Sequence, residues 1–301
     1  MGSNPSPGGE TVGQAVRRVA QILKAVGIDE AAGDARKLVA AALQASTAAI
    51  IRDPALKLTR EQASQLDKMV SRRAAREPVS RILGWREFYG RQFAVTPAVL
   101  DPRPDTETLI DAAIDIGGLE GWPDRAISIL DIGTGSGAIL LTLLAQFPLS
   151  RGLGIDISGQ ALEVASANAN ALGLSSRAKF EQRDILAGFP MGYDLAVSNP
   201  PYIPSVEISE LDPEVALFDP HLALDGGTDG LDFYRSIIKA WAPAAKKTQW
   251  LLLEAGAGQS TAIERIAEKA GLFGSQDHVR RYRDLGRHIR CVAIEAQFAS
   301  R

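Results

Sequence analysis

The sequence predicts an α/β protein, a doubly wound and mostly parallel sheet, with a small helical region ahead of it. Three observations predict this. After Trp122, short apolar runs alternate with helical periods, the pattern of parallel strands joined by covering helices. A glycine-rich loop, Asp131-Ile132-Gly133-Thr134-Gly135-Ser136-Gly137, lies between one such strand and a helix starting at Ala138. Between Thr11 and Glu77 the apolar residues recur only at helix spacing.

A length of 301 residues is enough for a real core and more than one domain, since domains run to about 100–200 residues. Hydrophobic residues make up 46% and charged residues 23%, with mean hydropathy near zero, an ordinary balance for a globular protein. No apolar run approaches the roughly 20 residues that span a bilayer, so no membrane association is expected. The stretch Met1–Gly9, rich in Gly, Ser and Pro, has no apolar core of a signal peptide. Residues 1–10 are therefore expected to form a disordered tail. One cysteine, Cys291, permits no internal disulfide and no cysteine-based zinc site, and the three histidines lack metal-ligand spacing. No metal is expected, and the default setting is the cytoplasm. The net charge of −3 is uneven: residues 1–97 carry 15 Lys+Arg against 9 Asp+Glu, the remainder 18 against 27. A solvated helical surface accounts for the basic part; a face for an acidic or RNA-bound partner is the sharper reading.

Residues 11–83 read as a helical domain. Val16, Val19, Ile22, Leu23 and Val26 share one helix face, and Ala35, Leu38, Val39, Ala42 and Leu43 another. Thr59 followed by Gln62 forms a capping-box signature for a third helix through Leu66 and Val70. Over residues 84–100, Trp85, Phe88, Tyr89, Phe93 and Val95 around Gly90 predict a β-hairpin linker. Residues 101–301 form the second domain, opening with a stiff loop, Asp101-Pro102-Arg103-Pro104-Asp105. Its expected strands are Ala126–Leu130, Gly152–Ile155, Lys179–Gln182, Leu195–Ser198 and Gln249–Glu254, with a final pair near Asp277–Arg280 and Ile289–Glu295. Its expected helices are Ala138–Phe147, Gln160–Leu172, Leu231–Trp241 and Thr261–Ala270.

The glycine loop points to a nucleoside-containing ligand. Glycines let a ligand approach backbone that side chains would shield. On its own the signal is weak: Gly133, Gly135 and Ala138 also satisfy a dinucleotide pattern, and a plain strand–helix corner needs glycines too. Asp156, 19 residues after Gly137 at the end of the second strand, is placed to accept from ribose hydroxyls. Asp184 follows the third strand, where a group can reach an adenine edge. Asp131 at the start of the loop disfavours a pyrophosphate and suits a ligand with an ammonium group. These electrostatics lean from NAD toward S-adenosylmethionine, which carries an ammonium and a sulfonium and no phosphate.

The fourth strand runs into Asn199-Pro200-Pro201-Tyr202. In open α/β sheets ligands bind beyond the carboxyl ends of the strands, so Asn199 is expected in the same crevice as the loop. Two prolines keep the backbone extended and remove two N–H donors. The Asn199 side-chain oxygen and the Pro200 carbonyl can then grip both hydrogens of an –NH2 group, aiming its nitrogen at the sulfonium methyl. Tyr202 is expected to stack on the planar target. A proline-rich turn is the bland alternative.

With these residues in view, the sequence resembles the HemK/PrmC family of protein-(glutamine-N5) methyltransferases. The resemblance runs from about Val12 to Gly286 and includes Pro78–Gly84, Glu87–Gly90, Pro102–Glu107, Asp131–Gly137 and Ser198–Ile203. It continues through Glu214-Val215, Phe218-Asp219-Pro220, Asp229-Gly230-Leu231, Glu254-Ala255-Gly256 and Arg283–Gly286. It implies a class I S-adenosylmethionine methyltransferase fold with a seven-stranded sheet. It also implies that Gly133, Thr134, Gly135, Ser136, Gly137, Asp131, Asp156, Ile157, Asp184, Ile185 and Asn199 hold S-adenosylmethionine and its product S-adenosylhomocysteine. Asn199, Pro200, Pro201, Tyr202 and Arg103 would hold the substrate, the glutamine of the Gly-Gly-Gln motif of peptide-chain release factors, with Asn199 and Pro200 catalytic. Two positions depart from the family pattern: Ile185 stands where many relatives have an aromatic residue, and Asp105 where glutamate is usual.

The tetrad is shared with adenine-N6 nucleic-acid methyltransferases, so it defines the nucleophile without defining the polymer. The acidic pI near 5.7 and the lack of a recognisable target-recognition domain weigh against that alternative. A fold that only binds, without catalysis, is the third reading, and the intact tetrad weighs against it. A monomer that contacts a protein substrate and no nucleic acid is expected.

Overall fold

The structure, a computed structural model, describes residues 9–185, 192–243, 245–246 and 249–297. Of the tail expected over residues 1–10, the first eight residues lie outside the described ones. Glu10 does not behave as a tail: its carbonyl accepts from Leu58 N at 2.9 Å and its carboxylate pairs with Arg18. The chain forms two compact units, Met1–Gly84 and Trp85–Arg301.

The first unit contains α1 (Val12–Ala25), α2 (Ala31–Ala42), α3 (Thr47–Arg52), α4 (Arg60–Ala74) and α5 (Val79–Leu83). Capping boxes open α1 at Thr11–Gln14 and α4 at Thr59–Gln62, each satisfying otherwise orphaned backbone donors. Val12, Val19, Leu23, Leu38, Val39 and Leu66 are fully excluded from water in its core. A buried Arg73–Asp34 pair at 2.8 Å ties α4 to α2.

The second unit begins with the hairpin β1 (Trp85–Phe88) and β2 (Arg91–Ala94). Its two-residue turn holds Tyr89 at φ 48° and Gly90 at φ 70°, the left-handed pair that matches strand twist. The cost of placing tyrosine there is offset by α6 (Glu107–Glu120): Glu107 accepts the Tyr89 N–H at 2.8 Å and Asp111 the Tyr89 hydroxyl at 2.8 Å. Helix α6 is an addition to the expected elements.

The remaining elements are β3 (Ser128–Ile132), α7 (Ala138–Gln146), β4 (Arg151–Asp156), α8 (Gly159–Ala171), β5 (Ala178–Gln182), β6 (Leu195–Ser198), α9 (Pro213–Ala216), α10 (Asp232–Trp241), β7 (Trp250–Glu254), α11 (Ser260–Lys269), β8 (Val279–Arg283) and β9 (Ile289–Glu295). The seven-stranded sheet has the order β5-β4-β3-β6-β7-β9-β8, parallel except for β9, which runs antiparallel to both neighbours. This is the class I S-adenosylmethionine methyltransferase fold. Expected and observed elements agree within one or two residues at most ends; β3 starts two residues later than expected and β8 extends to Arg283.

Side chains of one parity on β3, β6 and β7 (Ile129, Leu195, Val197, Leu252) pack with α6 and α7. Those of the other parity (Leu130, Ala196, Leu251, Leu253) pack with α10 and α11. Both faces are thereby covered, as near-continuous apolar parallel strands require. After β3 the chain builds outward through β4 and β5, then returns to place β6 on the other side of β3. The strand ends of β3 and β6 therefore flank the topological switch point, where a crevice opens.

Candidate active site

A cavity of about 410 Å³ occupies this switch point, well within the range of small-molecule sites. Its walls include Gly133–Ser136, Asp156–Ser158, Arg183–Ile185 and Ser198–Pro201, together with Val99, Arg103, Thr106, Phe233 and Ile237. Most of the residues selected from sequence therefore meet around one space. Asp131, Gly137 and Tyr202 do not line it.

The loop after β3 is shaped by backbone bonds and two buttressing carboxylates. The N–H groups of Gly133 and Thr134 both donate to the Ile155 carbonyl, at 2.9 and 3.0 Å, closing the turn onto β4. Gly133 and Gly135 have φ of 70° and 54°, and a Cβ on either would meet nothing within 4 Å, so both present bare backbone to open space. Gly137 instead faces α8, where a Cβ would sit 3.3 Å from that of Ala165; it serves helix packing.

Asp131 lies beneath the loop, fully buried. Its Oδ2 accepts from the Thr134 hydroxyl at 2.6 Å and from Leu140 N at 3.3 Å, while its Oδ1 is buried with no partner among the described residues. Burial pushes its carboxyl up to about 7, against the pull of these two bonds, and the nearby charge of Asp156 adds to the rise. Asp156 does line the cavity, and its two oxygens accept from Gly135 N and Ser158 N, both at 2.9 Å. Ser158 in turn caps α8. The same carboxylate thus fixes the loop and offers remaining lone pairs to a ligand.

On the opposite side, Ser198 donates to the Ile132 carbonyl at 2.8 Å and locks the ends of β6 and β3 together. Asn199 follows. Its amide nitrogen donates to Thr106 Oγ1 at 3.1 Å, and its Oδ1 accepts no hydrogen bond from the described residues. Pro200 and Pro201 line the cavity, and neither has an N–H to compete for a carbonyl.

Tyr202 departs from the stacking role expected of it. Its ring packs against the α10–α11 side of the core, and its hydroxyl points toward Glu254 Oε1 at 3.5 Å. Its carbonyl is held by Gln259 Nε2 at 2.9 Å, and a Cβ on Gly230 would lie 2.3 Å from that same oxygen. Tyr202 anchors the segment beyond the prolines into the core. Arg103 lines the cavity but is committed to an ion pair with the buried Asp219.

Sequence reading passed over several contributors. Thr106 and Glu254 carry no signature in the sequence beyond a lone carboxylate closing the apolar run Trp250–Glu254. Asn168 on α8 was also missed. It exchanges both backbone bonds with Ala94 of β2, at 2.8 and 3.1 Å, and donates to the Ser136 carbonyl at 2.8 Å, joining hairpin to loop.

The residues present suit S-adenosylmethionine. Bare backbone at Gly133 and Gly135 admits close approach, and Asp156 can accept from hydroxyls. The cationic residues among the described lining are Arg103 and Arg183, and neither belongs to the glycine loop, which disfavours a pyrophosphate there. No group of side chains suited to a metal occurs among the described residues, and no described helix is long and apolar enough to cross a membrane.

Comparison with known proteins agrees with this geometry. The catalytic domain of hMettl16, solved in complex with MAT2A 3'UTR hairpin 6, shares the fold: TM-score 0.54 at 16% identity, covering 77% of this chain and 84% of that one. Residues 14–84 match the family described as PrmC N-terminal domain, and residues 123–279 the family described as methyltransferase domain. The release factor glutamine methyltransferase of Bradyrhizobium diazoefficiens is 46% identical over 264 residues, spanning 88% of this chain and 89% of the relative. That of Rhodospirillum rubrum is 47% identical, spanning 87% and 79%. At this identity over nearly the whole length, with both regions matched in order, the chain belongs to the release factor glutamine methyltransferase family.

Proposed function

We propose that this protein transfers a methyl group from S-adenosylmethionine to the side-chain amide nitrogen of the glutamine in the Gly-Gly-Gln motif of peptide-chain release factors. One observation carries the reading: Asn199 and Pro200 open onto the same cavity as the glycine loop and Asp156. A grip for an –NH2 group and a nucleoside site thus share one cavity.

Bound S-adenosylmethionine supplies an electrophilic methyl on its sulfonium. Gly133–Ser136 and Asp156, which line the cavity, would hold its methionine and ribose parts, and Ile157, Asp184 and Ile185 would hold its adenine. Ile185 offers an aliphatic face where an aromatic ring would stack. The Asn199 Oδ1 and the Pro200 carbonyl each accept one N–H of the target amide. That double grip orients the nitrogen and offsets the positive charge it gains. The apolar wall of Val99, Ile139, Phe233 and Ile237 limits water around a weak nucleophile. Arg103, held by Asp219, fixes the mouth of the cavity near the incoming loop. The protein works as a monomer in the cytoplasm, where translation terminates.

Incubation with a release factor and S-adenosylmethionine labelled in the methyl group tests this. The label is expected on the glutamine of Gly-Gly-Gln, located by mass spectrometry. Labelling that survives replacement of that glutamine would overturn the proposal.

A further inference from the structure

A strand at the edge of a sheet leaves a row of backbone groups that need partners. Among the described strands β2 pairs with β1 alone, and at Ala94 its other edge meets Asn168 of α8. Ala94 N donates to Asn168 Oδ1 at 2.8 Å, and Asn168 Nδ2 donates to the Ala94 carbonyl at 3.1 Å. The second hydrogen of that nitrogen goes to the Ser136 carbonyl at 2.8 Å. A backbone N–H only donates and a carbonyl only accepts, so the three bonds admit one orientation of the amide. Asn168 is 2% exposed, and a leucine in its place would leave one N–H and two carbonyls without these partners.

The groups it joins belong to two separate stretches of the cavity wall. Ser136 lies in the glycine loop, where Asp156 holds the preceding residue through Gly135 N at 2.9 Å. Ala94 leads into Pro97–Leu100, which lines the same cavity. Between them, Val95 and Val99 pack with Ala161 and Val164 of α8. Ala161, Val164 and Asn168, at i, i+3 and i+7, share one face of that helix. This face seats residues 94–100 by apolar contact and by one amide.

We propose that Asn168 is a positioning residue that couples residues 94–100 to the glycine loop, so that S-adenosylmethionine binding and seating of this segment on α8 reinforce each other. Asn168 does not line the cavity and acts only through Ser136 and Ala94. A ligand that stills the loop fixes the Ser136 carbonyl, and through the amide it fixes Ala94. By linkage, a seated segment strengthens the hold on the ligand to the same degree. The inference rests on the cofactor site and on no particular methyl acceptor.

Hydrogen exchange at the Ala94 amide, read by NMR in the full-length protein with and without saturating S-adenosylhomocysteine, tests the coupling. In the unmodified protein the product should slow exchange by at least about 10-fold. In Asn168→Leu the same addition should slow it less than about twofold, and product affinity should fall about 5- to 100-fold. A purely structural asparagine would change the exchange rate without ligand but keep the ratio that the product causes. A segment that merely touches the ligand would keep that ratio too. An equal ratio in both proteins therefore overturns the inference.

Val95→Ala approaches from the other side and decides the matter if Asn168→Leu does not fold. Val95 does not line the cavity, so the variant loosens the segment without trimming the wall. It should speed ligand-free exchange at the Gly137 amide, which closes the loop onto the Thr134 carbonyl at 2.8 Å, by about 3- to 10-fold. Unchanged Gly137 exchange overturns the coupling. No release factor enters either measurement, so a failure of the proposed function leaves both readable.

Discussion

The carboxyl of Asp131 makes the stability of the second unit depend on pH in an unusual direction. Its value moves from 3.8 to about 7 on folding because burial outweighs its bonds to Thr134 and Leu140. Between about pH 4 and pH 7 the folded protein keeps a proton that the unfolded chain has shed. Stability from this group is therefore full below about pH 4 and is lost as pH rises through about 7. At roughly 1.4 kcal/mol per pH unit, the gap amounts to up to about 4 kcal/mol. Asp131→Asn removes the titration while keeping the shape. An amide oxygen can still accept from Thr134 and Leu140, and the amide nitrogen then takes the place of the unpartnered Oδ1. Leaving that NH2 group buried and unpaired costs about 1–3 kcal/mol at every pH.

The two stability curves must therefore cross. The variant is expected to be less stable than the unmodified protein at pH 4.5 and equal or more stable at pH 8. Urea unfolding followed by tryptophan fluorescence reads the right unit, because all four tryptophans (Trp85, Trp122, Trp241, Trp250) lie beyond Gly84. A stability difference that stays constant from pH 4.5 to pH 8 would refute the claim that Asp131 folds in its neutral form.

Three further outcomes are expected. Asp156→Ala removes a charged acceptor from ligand and loop together, and should weaken S-adenosylhomocysteine binding by about 10- to 100-fold in calorimetry. Asn199→Ala should lower kcat by about 10²–10³, as for other single groups that stabilise developing charge, with product affinity within about threefold. In Gly230→Ala, a methyl group would lie 2.3 Å from the Tyr202 carbonyl on backbone at φ 72°, so melting should fall by several degrees and activity with it.

Legibility of the fold followed the kind of information each element carries. The strands β3, β6 and β7 are short apolar runs bounded by turn residues, and their pattern alone locates them. Helix α6 is masked in the sequence by the proline-rich segment just before it, and its apolar residues Leu109, Ile110, Ala113 and Ile116 serve long-range packing on β7 and β9. Within the site, cavity-facing residues were legible because their chemistry is local: a glycine loop, an aspartate ending a strand, an asparagine before prolines. Residues that act through a neighbour were not. Tyr202 reads as a stacking ring from its sequence neighbours, but Gly230, Gly256 and Gln259, remote in sequence, hold it against the core. Asn168 substitutes for a strand partner of Ala94, a role that no spacing announces.

The placement of the titratable groups fits the demands of the proposed reaction. The lining contains no histidine, lysine or tyrosine among the described residues, and both strongly raised carboxyls, Asp131 and Glu254, lie behind it. A lining group strong enough to take a proton from an amide would also compete for the sulfonium methyl. An amide nitrogen that has gained a methyl becomes very acidic and gives its proton to water unaided, so no base is needed afterward. What the chemistry does need is a fixed acceptor geometry before transfer, and that requires groups held by burial rather than groups free to react. The carboxyl groups are therefore set one layer back: Asp131 accepts from the Thr134 hydroxyl of the loop and Glu254 from the Tyr202 hydroxyl, while Thr106 holds the Asn199 amide.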